Sequence, residues 1–581
     1  MRFPSLIPLP QTRETLDVFA GYNHNPRIGE NECYDMTNLT SRRFPLLSVR
    51  QPRELYAENV RVLGMASRDS LCYLDGGDLV INGYRVQLGL TEEGPKQLVS
   101  MGAYLIILPD KVYFNTADFS DRGRIEAEFT AASPVTFTPC QPDGTAYTPD
   151  YIQPEQPSGA ENMALWVDTS VSPHSLKQYS KAMDLWTGIE TVYIKLNCAG
   201  IGRPFAQYDG VTLSGLKALE DPQLQALEGS AILYHREEDA VVVAGMLDAP
   251  VTVEVPMTLS RKMPDMDFVV ESDNRLWGCR YGLGSDGRPV NELYSCKLGD
   301  FKNWNCFLGI STDSYYVSVG SDGPFTGAIT HGGHPLFFKE NCLHKVYGQI
   351  PANFSVQTMP CRGVRKGCGG SLAIVNEILY YKSRHGVCAY DGSVPVEVSA
   401  ALGEQSFGSA VAAAHGNLYY ISLEHADTGA YSLFVYDTAR GLWYREDDLR
   451  VKCFCSCREQ LYAATEDGKI LALLGNSDAY EKDLPWMLET GILGGSLPDK
   501  KYLTRLNLRM SLDLGSRVDL YARYDSRGAW EPLGSITGTE LRSFTVPVRP
   551  RRCDHLQLRL EGVGDAALHS LTKTYCQGSD V

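Results

Sequence analysis

Short apolar segments that end in Gly-rich turns recur along most of the chain. The pattern centres on a leucine followed by aromatic or small apolar residues, and the five clearest copies place it at Leu276, Leu336, Leu379, Leu418 and Leu461. Successive leucines are 60, 43, 39 and 43 residues apart. Three of these spacings fall in the window of about 40 to 50 residues that one four-stranded propeller blade occupies. The pattern therefore predicts a β-propeller.

Two further apolar segments, around Leu71 and Leu105, have the same form, so six or seven blades are expected. The blade spacing is lost between residues 119 and 262, which predicts an inserted, mainly β domain. Strands are expected there at Val192–Leu196 and Ala240–Ala244, with one helix near Leu216–Leu227. The spacing of 60 residues after Leu276 predicts one blade with a long loop, Asp300 to Gly327, and this loop is a candidate subunit contact.

The pattern changes after a Gly-rich linker at residues 491–496. Five short segments alternate apolar with polar residues, and this period of two predicts a small β-sandwich with one face in water. The fold class expected from the sequence is therefore all-β. The predicted division is an N-terminal arm (1–55), first propeller blades (56–118), an inserted domain (119–262), remaining blades (263–489) and a C-terminal β-sandwich (490–581).

Composition narrows the range of partners. The chain has 581 residues, 43% of them hydrophobic, and a net charge of −16. Proteins that grip nucleic acid do so by placing Lys and Arg on phosphates, so this charge argues against such a surface. Acidic walls would still suit a channel through which DNA slides without sticking. No apolar run has the length of a membrane span and the N-terminus is a poor signal peptide, so a soluble protein is expected.

Sixteen cysteines raise the question of disulfides or zinc. No Cys-x-x-Cys string exists, and Cys453, Cys455 and Cys457 alternate along one predicted strand, where their thiols point to one face. We expect reduced, mostly buried thiols of a protein made in a cytoplasm.

Several strings suggest chemistry, and each has a simpler structural explanation. Gly282–Gly287 matches Gly-x-Gly-x-x-Gly, but it lies between two predicted strands, whereas a dinucleotide site needs a strand and then a helix. Ser311–Ser314 and Gly320–Thr326 are similar to the Asp-box turns of propeller sialidases, although neither is complete. A glycosidase needs two carboxylates at one sugar bond. The candidate pairs are Asp265 with Asp267 and Asp447 with Asp448, and each is also typical of a solvated turn.

His331 and His334 would offer two imidazoles to a metal, but no third ligand has a matching spacing. The basic string Arg362–Gly370 could cradle a phosphate, yet it lacks the Gly-Lys-Ser/Thr ending of a P-loop. A loop between blades that contacts a neighbouring subunit is the alternative use. From the sequence we therefore assign no catalytic, cofactor-binding or metal-binding residue, and we predict no enzyme and no cofactor.

Several strings together resemble the tail-accessory proteins of tailed bacteriophages, the family called DNA-stabilisation or tail nozzle proteins. The resemblance covers the arm and most of residues 268–425. It is carried by Gly21–Asn25, Phe44–Leu47, Asn274–Gly278, Glu292–Trp304, Phe338–Lys339, Lys345–Gly348 and Gly386–Gly392.

The resemblance implies a structural virion protein, synthesised in the host bacterial cytoplasm. It implies a homo-oligomeric ring, expected to be a hexamer, that lies below the portal and adaptor and contacts other tail proteins. Genomic DNA would be retained and then conducted through its lumen without sequence-specific binding. The alternative from another class is a virion propeller that binds or cleaves carbohydrate, as a receptor-binding protein does. Several carboxylates, Arg and aromatic side chains that converge at one end of the propeller channel would favour this alternative.

Overall fold

The computed structural model describes residues 11–284, 287–475, 480–495, 500–549 and 551–577. The chain is all-β: a propeller, an inserted β domain and a β-sandwich. Strands form where β-branched and aromatic residues alternate with polar ones, and Gly, Asn and Asp occupy the turns between them. The first strands along the chain are β1 (Gln11–Leu16), β2 (Cys33–Thr37), β3 (Leu39–Thr40), β4 (Leu47–Val49) and β5 (Glu54–Glu58).

Blades 1 and 2 follow the arm, and each is an antiparallel sheet of four consecutive strands. The strands of blade 1 are β6 (Val62–Ser67), β7 (Leu71–Asp75), β8 (Asp78–Ile81) and β9 (Tyr84–Gln87). Those of blade 2 are β10 (Gln97–Met101), β11 (Tyr104–Leu108), β12 (Val112–Asn115) and β13 (Arg122–Arg124).

The insertion between blades 2 and 3 contains three sheets, ordered β14-β26-β21-β22, β23-β24-β20-β15-β25 and β16-β17-β18-β19. The first two sheets enclose one apolar core. The elements are β14 (Ala127–Thr130), β15 (Val135–Cys140), β16 (Tyr151–Gln153), β17 (Leu165–Asp168), β18 (Ser175–Ser180), β19 (Leu185–Gly188), β20 (Tyr193–Asn197), β21 (Gly210–Ser214), α1 (Pro222–Gln225), β22 (Gly229–Ile232), β23 (His235–Arg236), β24 (Ala240–Ala244), β25 (Val251–Val253) and β26 (Thr258–Arg261).

Blades 3 to 7 complete the propeller. Blade 3 is β27 (Phe268–Ser272), β28 (Arg275–Leu283), β29 (Pro289–Ser295) and β30 (Tyr315–Ser318); blade 4 is β31 (Gly327–His331), β32 (His334–Phe338), β33 (Cys342–Tyr347) and β34 (Ser355–Pro360). Blade 5 is β35 (Ala373–Val375), β36 (Ile378–Lys382), β37 (Val387–Tyr390) and β38 (Val396–Glu397); blade 6 is β39 (Phe407–His415), β40 (Leu418–His425), β41 (Tyr431–Asp437) and β42 (Leu442–Arg445). Blade 7 begins with β43 (Val451–Cys457), β44 (Gln460–Thr465) and β45 (Lys469–Ala472), and 3-10 turns lie at Pro351–Asn353, Gly369–Ser371 and Ala400–Leu402.

The blades form a closed ring, because the first strand of each blade lies beside its counterpart in the next. Contacts run from β6 to β10, β27 and β31, then through the Gly369–Ser371 turn and β35 to β39, β43 and back to β6. The arm strand β5 supplies the fourth strand of blade 7 by pairing with β45. Within the described residues the propeller therefore has seven blades. Each of the seven leucines that marked the repeat lies on the second strand of a different blade.

The sandwich follows blade 7, and the arm strands complete it. Its last eight strands are β46 (Pro485–Thr490), β47 (Lys501–Leu512), β48 (Arg517–Tyr524), β49 (Glu531–Thr537), β50 (Arg542–Val546), β51 (Arg552–Cys553), β52 (Leu556–Val563) and β53 (Ala566–Gln577). One sheet contains β3-β4-β53-β47-β50 with β1 and β51, and the other contains β2-β46-β52-β48-β49. Residues 490–581 were expected to form this domain, but its sheets also include β46 and four strands of the arm.

The helix predicted at Leu216–Leu227 is only four residues long in the structure, where it is α1. Asp221 caps it, and its side chain accepts a hydrogen bond from the backbone N–H of Gln223. Pro222 at the first helical position fixes where the helix begins, because proline disfavours helical conformation in the residues before it. The loop predicted from Asp300 to Gly327 is also interrupted, because Tyr315–Ser318 pairs with β29 as the outer strand of blade 3.

A buried ionic cluster joins the arm, the propeller and the sandwich linker. Arg50 and Arg53 follow β4 and are 4% and 2% exposed. Arg53 donates to Asp447 at 2.6 Å and to Glu446 at 2.9 Å, while Arg50 donates to Glu481 at 2.6 Å. Glu446 and Asp447 connect blades 6 and 7, and Glu481 precedes β46. This group, the junction cluster, fixes the sandwich on blade 6.

Candidate functional site: a cleft beside blade 3

An open cleft of about 860 Å³ lies between the insertion and blade 3. One wall is the sheet β14-β26-β21-β22, which contributes Thr212, Ser230 and Ser260. The other wall comes from blade 3 and from the loop between β29 and β30. The two chain segments that enter and leave the insertion form its floor. Loops of a rigid scaffold thus bring distant parts of the sequence to one site.

Lys111 organises the polar floor of the cleft. Its Nζ donates at 2.8 Å to Glu126, at 2.7 Å to the carbonyl oxygen of Met263, and lies 2.8 Å from Asp265. Burial alone lowers the pKa of Lys111, but hydrogen bonds to Asp265 and Glu126 outweigh it, so the pKa is raised. Because the two carboxylates contact one nitrogen, their oxygens lie no farther apart than twice that contact distance.

Aromatic side chains form the apolar part of the cleft. Phe307 and Tyr316 are 48% and 59% exposed, and their ring centroids are 5.8 Å apart. Trp304 lines the cleft from a buried position, and its Nε1 donates to the carbonyl of Phe301 at 2.8 Å. Tyr294 also lines it. Burial and a hydrogen bond to Glu292 raise the pKa of Tyr294, which stays a neutral phenol.

The loop that carries Trp304 and Phe307 is held by buried polar contacts. The Asp313 carboxylate accepts hydrogen bonds from the backbone N–H groups of Leu308, Gly309 and Ile310, at 2.6, 2.6 and 3.1 Å. The Arg275 guanidinium donates to three backbone carbonyls of the same loop. Burial lowers the pKa of Arg275. Ser311–Ser314, one of the two incomplete Asp-box strings, therefore holds the cleft wall in place.

The cleft combines an exposed aromatic pair with convergent carboxylate, ammonium and hydroxyl groups. Ligand sites typically join such apolar surfaces to a few precisely placed polar groups. Glu126 and Asp265 are close enough to flank one glycosidic bond, as the two carboxylates of a retaining glycosidase do at roughly 5 to 5.5 Å. The arrangement suits a ligand that is rich in hydroxyl groups and has apolar ring faces.

The carboxylate pairs suggested by the sequence do not stay together. Asp265 lines the cleft, whereas Asp267 pairs with Arg280 at 2.8 Å and accepts from the backbone of Tyr281. Asp447 belongs to the junction cluster. Its neighbour Asp448 is exposed and bonds Arg445.

The two histidines also diverge. The imidazole of His331 bonds the carbonyl of Glu377 at 2.6 Å, and that of His334 bonds the carbonyl of Val346 at 3.1 Å. The described residues hold no group of three or more His, Cys, Asp or Glu side chains arranged to bind a metal ion. Burial raises the pKa of both Cys453 and Cys455 to about 12, and all sixteen cysteines are free thiols.

The Gly-rich strings lie in connections between strands. Gly282 and Leu283 end β28, and the rest of this string lies in the connection to β29, with positions 285 and 286 outside the described residues. Within Gly320–Thr326, which precedes blade 4, the hydroxyl of Ser321 bonds buried His344 at 2.7 Å. Arg362–Gly370 links blade 4 to blade 5, and Arg365 donates to the carbonyl of Phe407.

Sequence reasoning missed most of the cleft residues. Lys111 lies in a hairpin turn of blade 2 and Glu126 begins the insertion, so more than 130 residues separate either from Asp265. No short motif connects them. The one usable signal was the concentration of aromatic residues in the loop after Glu292, which the strings Phe301–Trp304 and Phe307 display.

No family model and no curated protein matches the chain. Solved structures do resemble it. AztD from Citrobacter koseri is 11% identical, with a TM-score of 0.27 over 72% of this chain and 90% of that one. An exo-β-1,3-galactanase from Phanerochaete chrysosporium is 8% identical, with a TM-score of 0.21 over 52% and 94%. A sialidase from Trypanosoma rangeli is 10% identical, with a TM-score of 0.20 over 90% and 96%.

These neighbours correct one expectation from the sequence. The prediction that the chain is not an enzyme is contradicted, because glycoside-cleaving enzymes are among the structures that resemble it. None of the three named structures is described as a virion protein. None of the helices in the part of the chain that the structure describes has the length and apolar character needed to span a bilayer.

Proposed function

We propose that the chain is a carbohydrate-binding propeller and that the cleft beside blade 3 takes an oligosaccharide. The observation that carries the proposal is the meeting of Phe307 and Tyr316 with the Lys111, Glu126 and Asp265 cluster in one open cleft. Aromatic rings offer flat apolar surfaces to sugar rings. The carboxylates accept hydrogen bonds from sugar hydroxyls, and Lys111 and the serine hydroxyls donate them.

Cleavage is a second property of the same site to be tested. In glycoside hydrolysis one carboxyl group acts as the general acid while the other stays ionised. Lys111 contacts both Glu126 and Asp265, and Glu126 is the less exposed of the two, at 32% against 66%. Glu126 is therefore the residue proposed for the role of acid, and Asp265 the residue proposed for the second carboxylate.

The test is a glycan-array screen followed by calorimetry with the best ligand. Phe307→Ala and Tyr316→Ala are each expected to weaken binding at least tenfold, and Tyr84→Ala, which removes a 68% exposed tyrosine from blade 1, should leave it unchanged. Release of reducing ends by the wild type, and its loss in Glu126→Gln, would establish cleavage. Absence of any glycan ligand, or equal affinity in all variants, would refute the proposal.

The second candidate is the structural subunit of a bacteriophage tail that the sequence resemblance implies. Its support is the sequence resemblance, and one of the strings that carry it, Gly21–Asn25, has a packing role in the structure. Gly21 has φ +75°, and a Cβ there would lie 2.5 Å from the carbonyl oxygen of Trp443. Tyr22 donates its N–H to that oxygen at 2.6 Å, and His24 donates to the carbonyl of Ala401 at 2.8 Å. The motif thus binds the arm to blade 6, as a fold-specific signature would.

The particle mass of the purified protein, alone and with portal and adaptor proteins of a tailed bacteriophage, tests this candidate. A ring that joins the adaptor supports the structural role. A protein that does not bind the adaptor but binds glycans would refute the tail-subunit candidate and support the carbohydrate-binding proposal.

A further inference from the structure

The charge of the chain is distributed unevenly between its modules. Residues 119–262 contain 19 Asp and Glu against 10 Lys and Arg, whereas residues 490–581 contain 10 against 13. The insertion is therefore strongly acidic and the C-terminal part of the sandwich is mildly basic, in a chain whose net charge is −16. The whole sandwich, which also includes residues 11–49 and 485–489, contains 16 Asp and Glu against 17 Lys and Arg and is nearly neutral. An acidic insertion favours a partner surface on which basic side chains are exposed.

The two modules lie on opposite sides of the ring. The insertion leaves the propeller between blades 2 and 3, while the sandwich contacts blade 6 through β2, β3 and β42. Blades 4 and 5 separate them in one direction, and blades 1 and 7 in the other. The two modules of one copy are therefore attached apart on the ring, and the insertion of one copy can contact the sandwich of a second.

The outer sheet of the insertion, here called the insertion tip, comprises residues 150–190 with β16 to β19. Glu155, Glu161 and Glu190 are exposed on it and form no ion pair with any described residue. A hydrogen bond of 2.9 Å from His174 to Asp248 ties the tip to the rest of the insertion. The same segment carries six apolar side chains that are at least 36% exposed: Ile152, Met163, Val171, Met183, Leu185 and Ile189.

This density of exposed apolar groups distinguishes the tip from an ordinary solvated surface. Contiguous apolar patches with a polar rim mark interaction sites on soluble proteins. The carboxylates supply a rim of one sign, which selects a basic partner.

The matching surface is the sandwich outer face, defined as the side of β1, β53, β47 and β50 that carries the exposed Arg13, Arg505 and Arg509, with Thr572 and Thr574 buried between the arginines. Its side chains lie in three rows across the strands: Arg13, Thr574 and Arg505; then Thr15, Thr572, Asn507 and Thr545; then Ser570, Arg509 and Ser543. Every member of these rows is an arginine, an asparagine or a hydroxyl residue. Arg13, Arg505 and Arg509 are exposed and pair with no carboxylate of the described residues.

We propose that the insertion tip of one copy docks on the sandwich outer face of a second copy. The contact is head-to-tail, since it joins two different surfaces, and such contacts propagate into rings or filaments. Exposed arginines suit bidentate contacts with Glu155, Glu161 and Glu190. The inference is independent of glycan binding, and it specifies the subunit contact that the tail-subunit candidate requires.

The experiment measures assembly mass by sedimentation velocity. The wild type is expected to assemble at about 50 mM salt and to weaken at about 500 mM, where screening shortens the Debye length to a few ångströms. The tip variant, Glu155→Lys/Glu161→Lys/Glu190→Lys, and the face variant, Arg13→Glu/Arg505→Glu/Arg509→Glu, should each lose self-association at least tenfold. A mixture of the two variants should assemble, because each then meets a surface of opposite charge.

The control variant Asp69→Lys/Glu93→Lys/Glu459→Lys makes the same charge change as the tip variant on blades 1, 2 and 7, and should assemble as the wild type does. A wild type that stays monomeric at low salt would overturn the inference. So would assembly that survives both reversals, and in that case adaptor binding could still support the tail-subunit candidate. Monomeric variants that keep glycan binding would show that the loss is not unfolding.

Discussion

Arg53→Met tests whether the junction cluster holds the sandwich on the propeller. The guanidinium is 2% exposed and bonds both Asp447 and Glu446, so its removal leaves two carboxylates in a poorly hydrated place. Breaking a buried ion pair by removing one partner costs about 3–5 kcal/mol. Arg50 still contacts Asp447 at 3.5 Å and Glu446 at 3.7 Å, which places the expected loss near the lower end, about 3 kcal/mol.

The same variant changes the dependence of stability on pH. Burial alone raises the pKa of Asp447 and of Glu481, but the neighbouring Arg50 and Arg53 outweigh it, so both pKa values are lowered. Carboxylates with a lowered pKa stabilise the fold above their unfolded pKa values of about 4, and this contribution is lost as the pH falls through the folded values. Without Arg53 the folded pKa values rise, so stability declines from a higher pH than in the wild type.

Urea unfolding followed by tryptophan fluorescence measures the effect, because Trp443 on β42 and Trp486 on β46 are both buried beside the junction. Arg61→Met is the control, since Arg61 and its partner Glu92 are 59% and 70% exposed and such pairs contribute little. Arg53→Met/Asp447→Asn should recover part of the loss, because it removes one unpaired charge. A loss below about 1 kcal/mol, equal to that of Arg61→Met, would refute the reasoning.

Three further predictions concern positions in the propeller. Gly363→Ala would place a Cβ 1.8 Å from the carbonyl oxygen of Lys339, and should lower the free energy of unfolding measured in urea by about 2 kcal/mol or more. Gly320→Ala is the control, because a Cβ there has no atom within 4 Å, and it should leave the free energy of unfolding unchanged. Burial lowers the pKa of His344 to about 4, below the unfolded value of about 6.5, so the unfolded chain binds more protons between these pH values. The free energy of unfolding should therefore fall as the pH drops from 6.5 to 4. His344→Gln should flatten this dependence on pH, and an unchanged slope would contradict the assignment. Asp313→Ala leaves three backbone N–H groups without their acceptor. Limited proteolysis should therefore cut the loop 296–314 faster than in the wild type, and any ligand of the cleft should bind more weakly. Equal cleavage rates in the variant and the wild type would contradict the role of Asp313 in holding the loop.

Local pattern was sufficient to predict the blades. Each marker leucine, from Leu71 to Leu461, lies on the second strand of its own blade because apolar alternation and turn residues act over a few positions. The four-residue helix α1 shows the limit of this approach. Its sequence has helix-forming residues, but Pro222 at the first helical position prevents the helix from extending back towards Leu216, and the apolar pattern alone does not register this.

The site and the closure of the ring depended on tertiary structure. Strand β5 completes blade 7 by pairing with β45, more than 400 residues away, and no property of Glu54–Glu58 by itself specifies that partner. Glu126 and Asp265 meet at Lys111 because the insertion leaves and re-enters the propeller at one boundary between blades. The sequence by itself determined a propeller of six or seven repeats with two appended β modules. Only the folded chain decided which distant charges and rings share a cleft, because that pairing depends on long-range packing rather than on neighbouring residues.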